Sequence, residues 1–466
     1  MRIGFGGAFL PGAWTPVAIE IDPDAAPVRG TVEISLPRRA ALNLPPERVH
    51  YLLPYALSDG APLRRWISLP LQSGEEPLVV RLLGEEGTLV AEERVSLSGA
   101  ASYERLVAVL DPAEEAWAWV ASPTGGERAQ ANGRIAVGHA PDPRDFPDHA
   151  LSLKPLTAIA VRAGFPLHSL TRAQRKAIEE YVLSGGHLVL SGGAAPPAFP
   201  AEWRSWLPAA ATGRVVAYSF AGISVPGWEL AASESDAMLT WEGRPFAASF
   251  AAGDGRVTFV AVDPSSPLAR SPSLEKTLRE LITAQQGAAR DPLLSYSGPS
   301  HWDALEAYPT SPRPPSGLAW WLTVYTAVCT FLAAWASRRT PALAALALWI
   351  AAGAVFATAY ANSLGLRDRI GYREVQVTEG SPTGRGWVRA YASIIAFNPA
   401  TEGDTFALEG AAFPFPREFQ PDLPPVRLAE GSAFLTRLPP STPVDFYYEV
   451  PVETGVALSW RGDSRL

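Results

Sequence analysis

The chain has 466 residues, enough for two to four domains that each bury a core. Its 47 acidic residues outnumber 39 basic ones, the net charge is −8, and no basic block is present, which argues against nucleic acid as a partner. The single cysteine, Cys329, excludes a disulfide framework and a thiolate metal site within one chain.

Residues 1–99 have the pattern of an antiparallel β-sandwich. In GTVEISLP, residues 30–37, apolar Val, Ile and Leu alternate with polar side chains, which is the period of a half-buried strand. Pro11 and Gly12 occupy the middle positions of a predicted type II turn. Proline and glycine turns separate further predicted strands at 17–22, 48–57, 77–83 and 87–97.

Residues 102–287 change to strands that alternate with helices, which predicts an α/β domain built on a parallel sheet. Thr171 and Gln174 form a capping box, and Gly185 is a typical C-terminal glycine, so a helix is predicted at 172–184. Its predicted apolar face consists of Ala173, Ala177, Ile178, Tyr181 and Val182. The predicted strands are 105–111, 135–139, 157–162, 187–191, 214–219 and 256–263.

Two charge-free runs, 318–336 and 341–362, predict two transmembrane helices that form a hairpin at 317–363, after a Pro- and Ser-rich linker at 288–316. Each run has about 20 residues, which matches a hydrocarbon core roughly 30 Å thick. The alternative is a buried helical hairpin in a soluble core. The remaining segment, 370–466, has β patterning and predicts a C-terminal β domain that forms a second small sandwich or packs against the first.

The arginines between the two runs, Arg338 and Arg339, place the loop 337–340 in the cytoplasm by the positive-inside rule. The large domains would then lie outside a bacterial cytoplasmic membrane. Met1 leads into RIGFGGAFL rather than into a signal peptide, so either residues precede Met1 or the large domain is cytoplasmic. We favour the first alternative.

Three stretches carry a family resemblance: FLPGAWTPV at 9–17, LTRAQRKAIEEYV at 170–182 and GGHLVLSGG at 185–193. The middle domain resembles the class I glutamine amidotransferase-like superfamily, in the version found inside bacterial membrane proteins of unassigned role. The resemblance implies a flavodoxin-like sheet, and a cysteine at the end of strand 187–191 followed by a His–Glu pair. Here that elbow holds Ser191 and Gly192, so the resemblance implies an inactive domain.

In an open α/β sheet, ligands bind beyond the carboxyl ends of the strands, which predicts one crevice lined by Asp111, His139, Arg162, Ser191 and Asp263. A divergent hydrolase could use Ser191 with His139 as base and Asp111 as the third member. The structural alternative is that Asp111 begins a helix and that Asp263 and Ser191 are turn residues. No metal or cofactor is predicted, because the histidines lack ligand spacing: His139, His149, His168 and His187.

The function predicted from these features is that of a non-catalytic membrane-anchored protein. Its extracytoplasmic β-sandwich and inactive amidotransferase-like domains would bind a partner protein or an envelope ligand, with other membrane or envelope proteins as partners. An accessory subunit of a membrane complex or transporter fits this description. The alternative is the divergent hydrolase that uses Ser191.

Overall fold

The computed structural model is mostly β-sheet with few helices. It describes residues 1–22, 29–38, 47–57, 62–71, 77–97, 105–121, 135–209, 211–231, 237–283, 318–339, 350, 351, 353, 355, 370–379, 385–396, 406–409, 411–415, 426–429, 432–435 and 443–453.

The strands before the long helix are β1 (Arg2–Ile3), β2 (Trp14–Ile21), β3 (Arg29–Arg38), β4 (Glu47–Ala56), β5 (Leu63–Pro70), β6 (Leu78–Gly84), β7 (Leu89–Val95), β8 (Arg105–Leu110), β9 (Ile135–Ala140), β10 (Ala158–Val161), β11 (His187–Ser191), β12 (Ala211–Phe220), β13 (Ile223–Leu230), β14 (Ala237–Trp241), β15 (Arg244–Ala252) and β16 (Gly255–Val260). The later strands are β17 (Ile370–Glu379), β18 (Arg385–Ala396), β19 (Phe406–Glu409), β20 (Ala411–Phe415), β21 (Val426–Ala429), β22 (Ser432–Leu435) and β23 (Pro443–Glu453). The α-helices are α1 (Ala118–Ala121), α2 (Ala150–Leu153), α3 (Arg172–Leu183), α4 (Pro272–Thr283) and α5 (Leu318–Arg339).

The prediction of two transmembrane helices is wrong. Among the described residues, no helix combines the length and the apolarity that crossing a membrane requires. Helix α5 covers the first charge-free run, and it continues through Ser337, Arg338 and Arg339, which were predicted to lie in a loop. A helix without charged residues can still be polar, because its Thr, Tyr and Trp side chains carry hydrogen-bonding groups, as they do in α5. The fold class is therefore corrected to a β-rich multidomain fold, while the second run, 341–362, lies mostly outside the described residues.

The strands of the first hundred residues divide between two sheets. One has the order β1-β2-β5, and the other has the order β19-β22-β21-β4-β3-β6-β7. Inward side chains such as Val17, Ile34 and Leu69 are fully buried, as the alternation of apolar and polar residues requires. The turn predicted at Pro11 and Gly12 is present, because Ala13 N–H donates to the Leu10 carbonyl at 3.2 Å and Gly12 has φ +82°.

Strands from both ends of the chain share the second sheet. β21 pairs in parallel with β4, with Val426 opposite Tyr51 and Arg427 opposite Leu52. Four other late strands form a separate sheet of order β17-β18-β23-β20. The segment after α5 therefore builds its own sheet and also extends the N-terminal one.

The middle of the chain forms a seven-stranded sheet of order β14-β15-β16-β11-β10-β8-β9. Strands β9, β8, β10, β11 and β16 are parallel, and β15 and β14 continue the sheet antiparallel. The chain starts in β8, places β9 on one side and then moves to β10 on the other. The strand order therefore reverses between β8 and β10, which is the topological switch point where doubly wound sheets hold ligands.

Helix α3 precedes the central strand β11 and begins as the sequence predicts. Thr171 is the N-cap, and both hydrogen bonds of the capping box with Gln174 are formed. The helix ends at Leu183, and Gly185 follows with φ +110°. One detail of the predicted apolar face is wrong, since Ala173 is exposed while Gln174 is buried.

The N-terminal strands pack against the α/β unit through polar and apolar contacts. Ser68 and Ser152 share a hydrogen bond of 2.6 Å, and Arg64 reaches Asp145 at 2.9 Å. Both units contribute to one continuous hydrophobic core. The α/β unit is therefore held firmly beside the first sheet, and this contact lies on the β9 side of the switch point.

Candidate functional site

Arg162 connects three of the strand ends that the sequence places around one crevice. It directly follows β10, and its Nη1 donates to Asp111 Oδ1 at 3.2 Å. Its Nε donates to Asp263 Oδ2 at 2.9 Å, across the intervening strand β11. A guanidinium that binds two carboxylates fixes the relative positions of β8, β10 and the segment after β16.

The two carboxylates also hold local turns. Asp111 Oδ1 accepts from Ala113 N at 2.8 Å, and Asp263 Oδ1 accepts from Ser265 N at 2.8 Å. Burial acts to lower the pKa of Arg162, but its hydrogen bonds and ion pairs with Asp263 and Asp111 outweigh this and raise it. Arg162 is thus a permanent cation in a cluster that carries one more negative than positive formal charge.

The serine of the turn after β11 is occupied by a backbone contact. Ser191 is 1% exposed, and its hydroxyl donates to the Val161 carbonyl at 3.1 Å. A Cβ on Gly192 would lie 1.8 Å from the Ala261 carbonyl oxygen, so this glycine permits the close approach of the segment that follows β16. The glycine turn is therefore explained by packing.

His139 lies on a different part of the sheet from Ser191. It belongs to the edge strand β9, and β8 and β10 separate that strand from β11. Three strand spacings amount to roughly 14 Å between the two backbones. A nucleophile and its base must approach within about 3 Å, so the arrangement does not bring His139 and Ser191 together.

His139 does lie near Asp111. In the parallel pair β8 and β9, His139 is opposite Val109, and Asp111 is two residues further along the same strand face. Asp111 is fully buried, and His139 is partly exposed. Among the described residues, neither Asp111 Oδ2 nor His139 Nε2 has a hydrogen-bond partner, although both atoms are buried.

His187 begins β11 at the opposite end of the strand from Ser191, far from the crevice. It is fully buried, and its Nε2 lies 2.8 Å from Thr258 Oγ1, which in turn contacts Ser249 Oγ at 3.0 Å. Burial, with a smaller contribution from the charge of Arg256, lowers the pKa of His187 to about 3. His187 therefore stays neutral and serves as a polar core residue.

Sequence reasoning did not include Ser265 in the crevice. Its Oγ contacts both Asp263 Oδ1 and, at 3.4 Å, Arg162 Nη2. The Asp-Pro-Ser sequence at 263–265 is a turn signal that could have indicated it. In the described part of the chain, no group of three or more His, Cys, Asp or Glu side chains is arranged to hold a metal ion.

One family model matches the beginning of the chain. Residues 1–98 match a domain of unknown function, DUF8726. No curated protein sequence matches the chain.

Solved structures share only weak similarity with this fold. A cytoplasmic protein of Salmonella typhimurium LT2, STM1381, is 20% identical over 30% of this chain and 76% of its own, with a TM-score of 0.23. The exo-β-1,4-mannosidase Op5Man5 of Opitutaceae bacterium strain TAV5 is 14% identical over 39% of this chain, with a TM-score of 0.23, and only 35% of that enzyme is covered. The cytoplasmic protein STM3548 of Salmonella typhimurium is 12% identical, with 44% and 96% of the two chains covered and a TM-score of 0.26. These matches give no support to the amidotransferase-like resemblance or to the role of accessory subunit.

Proposed function

We propose that this protein is a non-catalytic binding protein that holds a ligand in the crevice at the switch point of its α/β sheet, between the ends of β8 and β10. The observation that carries the proposal is the Asp111–Arg162–Asp263 cluster at that position. Ligands of doubly wound sheets bind where the strand order reverses, beyond the carboxyl ends of the strands. Charged groups fixed in this crevice supply the few convergent polar contacts of a typical ligand site.

The contacts of the reactive side chains favour binding over catalysis. The Ser191 hydroxyl donates to a backbone carbonyl, and both carboxylates are held by Arg162 and by turn N–H groups. A hydrolase that uses Ser191 would need a base within hydrogen-bond reach, and the described residues around the serine supply none. The divergent hydrolase thus has less support.

The test compares hydrolysis and binding in the same preparations. We expect the purified full chain to release no product from glutamine or p-nitrophenyl acetate above the rate of Ser191→Ala. In a fluorescence thermal-shift screen of small polar compounds, we expect some to raise the melting temperature of the wild type and not of Arg162→Gln. Ester hydrolysis lost in Ser191→Ala would contradict the proposal, as would hits that stabilise Arg162→Gln equally.

A further inference from the structure

Beside the switch point, the ends of β8 and β9 carry two buried polar atoms without a hydrogen-bond partner among the described residues. Asp111 uses Oδ1 for Arg162 and for Ala113 N–H, while Oδ2 has no partner among the described residues. Most buried polar side-chain atoms have a partner, and leaving a carboxylate oxygen without one costs more than leaving a neutral atom. Such an atom marks a place where a donor from outside the chain would be stabilised.

His139 supplies the second atom on the neighbouring strand. Arg162 binds Asp111 Oδ1 from the neighbouring strand β10, and His139 lies on β9, on the other side of β8 and on the same sheet face as Asp111. His139 Nε2 is buried and likewise has no partner within the described part of the chain. In the tautomer with the proton on Nδ1, Nε2 is an acceptor, and that tautomer together with Asp111 Oδ2 offers two acceptors to one donor group.

The charges around this pair favour a cation. Asp111 and Asp263 carry two negative charges against the single positive charge of Arg162. The segment that follows β9 adds Asp142 and Asp148 together with Arg144, and Asp148 Oδ1 lies 3.6 Å from His149 Nε2. An anionic ligand would meet net repulsion here, whereas an ammonium or guanidinium group would meet attraction and unfilled acceptors.

We propose that the crevice recognises the positively charged amino or guanidino group of a small ligand, which donates to Asp111 Oδ2 and His139 Nε2. This inference rests on the proposed binding function and specifies its ligand class. Arg162 orients Asp111 from the opposite side, and it does not bind the ligand's charged group.

A set of probes that share a four-carbon chain tests the charge preference. Isothermal titration calorimetry of the full chain with putrescine, agmatine, 1,4-butanediol and succinate should show binding of the two cations and none of the neutral diol or the dianion. Binding of succinate or the diol, lost in Arg162→Gln, would support the proposed binding function but overturn the cation assignment. Absence of binding by all four probes would overturn the cation assignment as well.

Variants of the two acceptors separate this site from general attraction of polyamines to an acidic chain. His139→Ala should weaken putrescine binding about tenfold, the loss expected for one hydrogen bond to a charged group. His50→Ala is the matched control, because this partly exposed histidine lies on β4 in a different sheet, outside the crevice, and it should bind like the wild type. Asp111→Asn should abolish putrescine binding. Circular dichroism of this variant checks that it is folded. Equal affinity in His139→Ala and the wild type would overturn the proposal whether or not Asp111→Asn folds.

Discussion

At the scale of single residues, a buried polar side chain makes the stability of this fold depend on pH. The imidazole of His187 is fully buried, and burial lowers its pKa to about 3. In the unfolded chain the pKa of a histidine is about 6.5. Between pH 6.5 and pH 3, His187 is protonated in the unfolded state and neutral in the folded state. The contribution of the neutral His187 to the free energy of unfolding is therefore fully present above pH 6.5 and is lost as the pH falls toward 3.

We expect the free energy of unfolding to fall by about 2 kcal/mol more between pH 7 and pH 5 in the wild type than in His187→Gln, from this linkage alone. Glutamine can keep the hydrogen bond to Thr258 without carrying a proton. Urea unfolding at the two pH values measures the difference, with His149→Gln as the exposed control. An identical pH dependence in His187→Gln and the wild type would show that His187 is not the linked group.

The glycine turn after β11 gives a second residue-scale prediction. Gly192→Ala should lower the free energy of unfolding by about 3 kcal/mol, because the new Cβ meets the Ala261 carbonyl oxygen and the backbone must shift. In Gly193→Ala the Cβ meets only Ala163 Cβ at 3.2 Å, so the loss should stay below about 1 kcal/mol. Chemical denaturation of the two variants checks the order, and a larger loss in Gly193→Ala would refute the packing explanation.

At the scale of elements, the N-terminus of helix α3 is stabilised both by a local capping box and by hydrogen bonds to residues distant in sequence. Thr171→Ala removes only the N-cap bond and should cost about 1 kcal/mol. Gln174→Ala should cost more, about 2 to 3 kcal/mol, because Gln174 Nε2 also donates to the Pro143 and Phe146 carbonyls. The exposed Lys176→Ala is the control, with a loss under about 0.5 kcal/mol. Thermal unfolding ranks the three variants, and equal losses for Thr171→Ala and Gln174→Ala would contradict the tertiary role of Gln174.

The same helix shows what the sequence can and cannot predict. The capping box and Gly185 act within a few residues, so they are visible in the sequence and occur as expected. The burial of Gln174 depends on carbonyls about thirty positions earlier, which no local pattern reveals. In α5 the local pattern is misleading, because a helix without charged residues is not for that reason apolar enough to cross a membrane.

For the candidate site, the sequence predicts which side chains follow strands, but it does not predict the order of the strands. Asp111, Arg162 and Asp263 meet because β8, β10 and the segment after β16 end at the same edge. His139 follows the same rule, yet the chain places β9 at the edge of the sheet, away from Ser191. Strand order is set by long-range pairing, so the position of His139 on the strand beside Asp111 appears only in the folded structure.

At the scale of the whole molecule, the pairing of β21 with β4 connects the two ends of the chain. Arg427→Pro should break this connection, because proline lacks the N–H group that a ladder needs and is not tolerated inside a sheet. We expect the amides of β4 that point toward β21 to exchange hydrogen faster, while those that point toward β3 stay protected. Ala407→Pro in β19, two strands further out, is the matched control and should leave β4 unchanged. If hydrogen exchange at β4 responds equally to both prolines or to neither, β21 does not protect the N-terminal sheet.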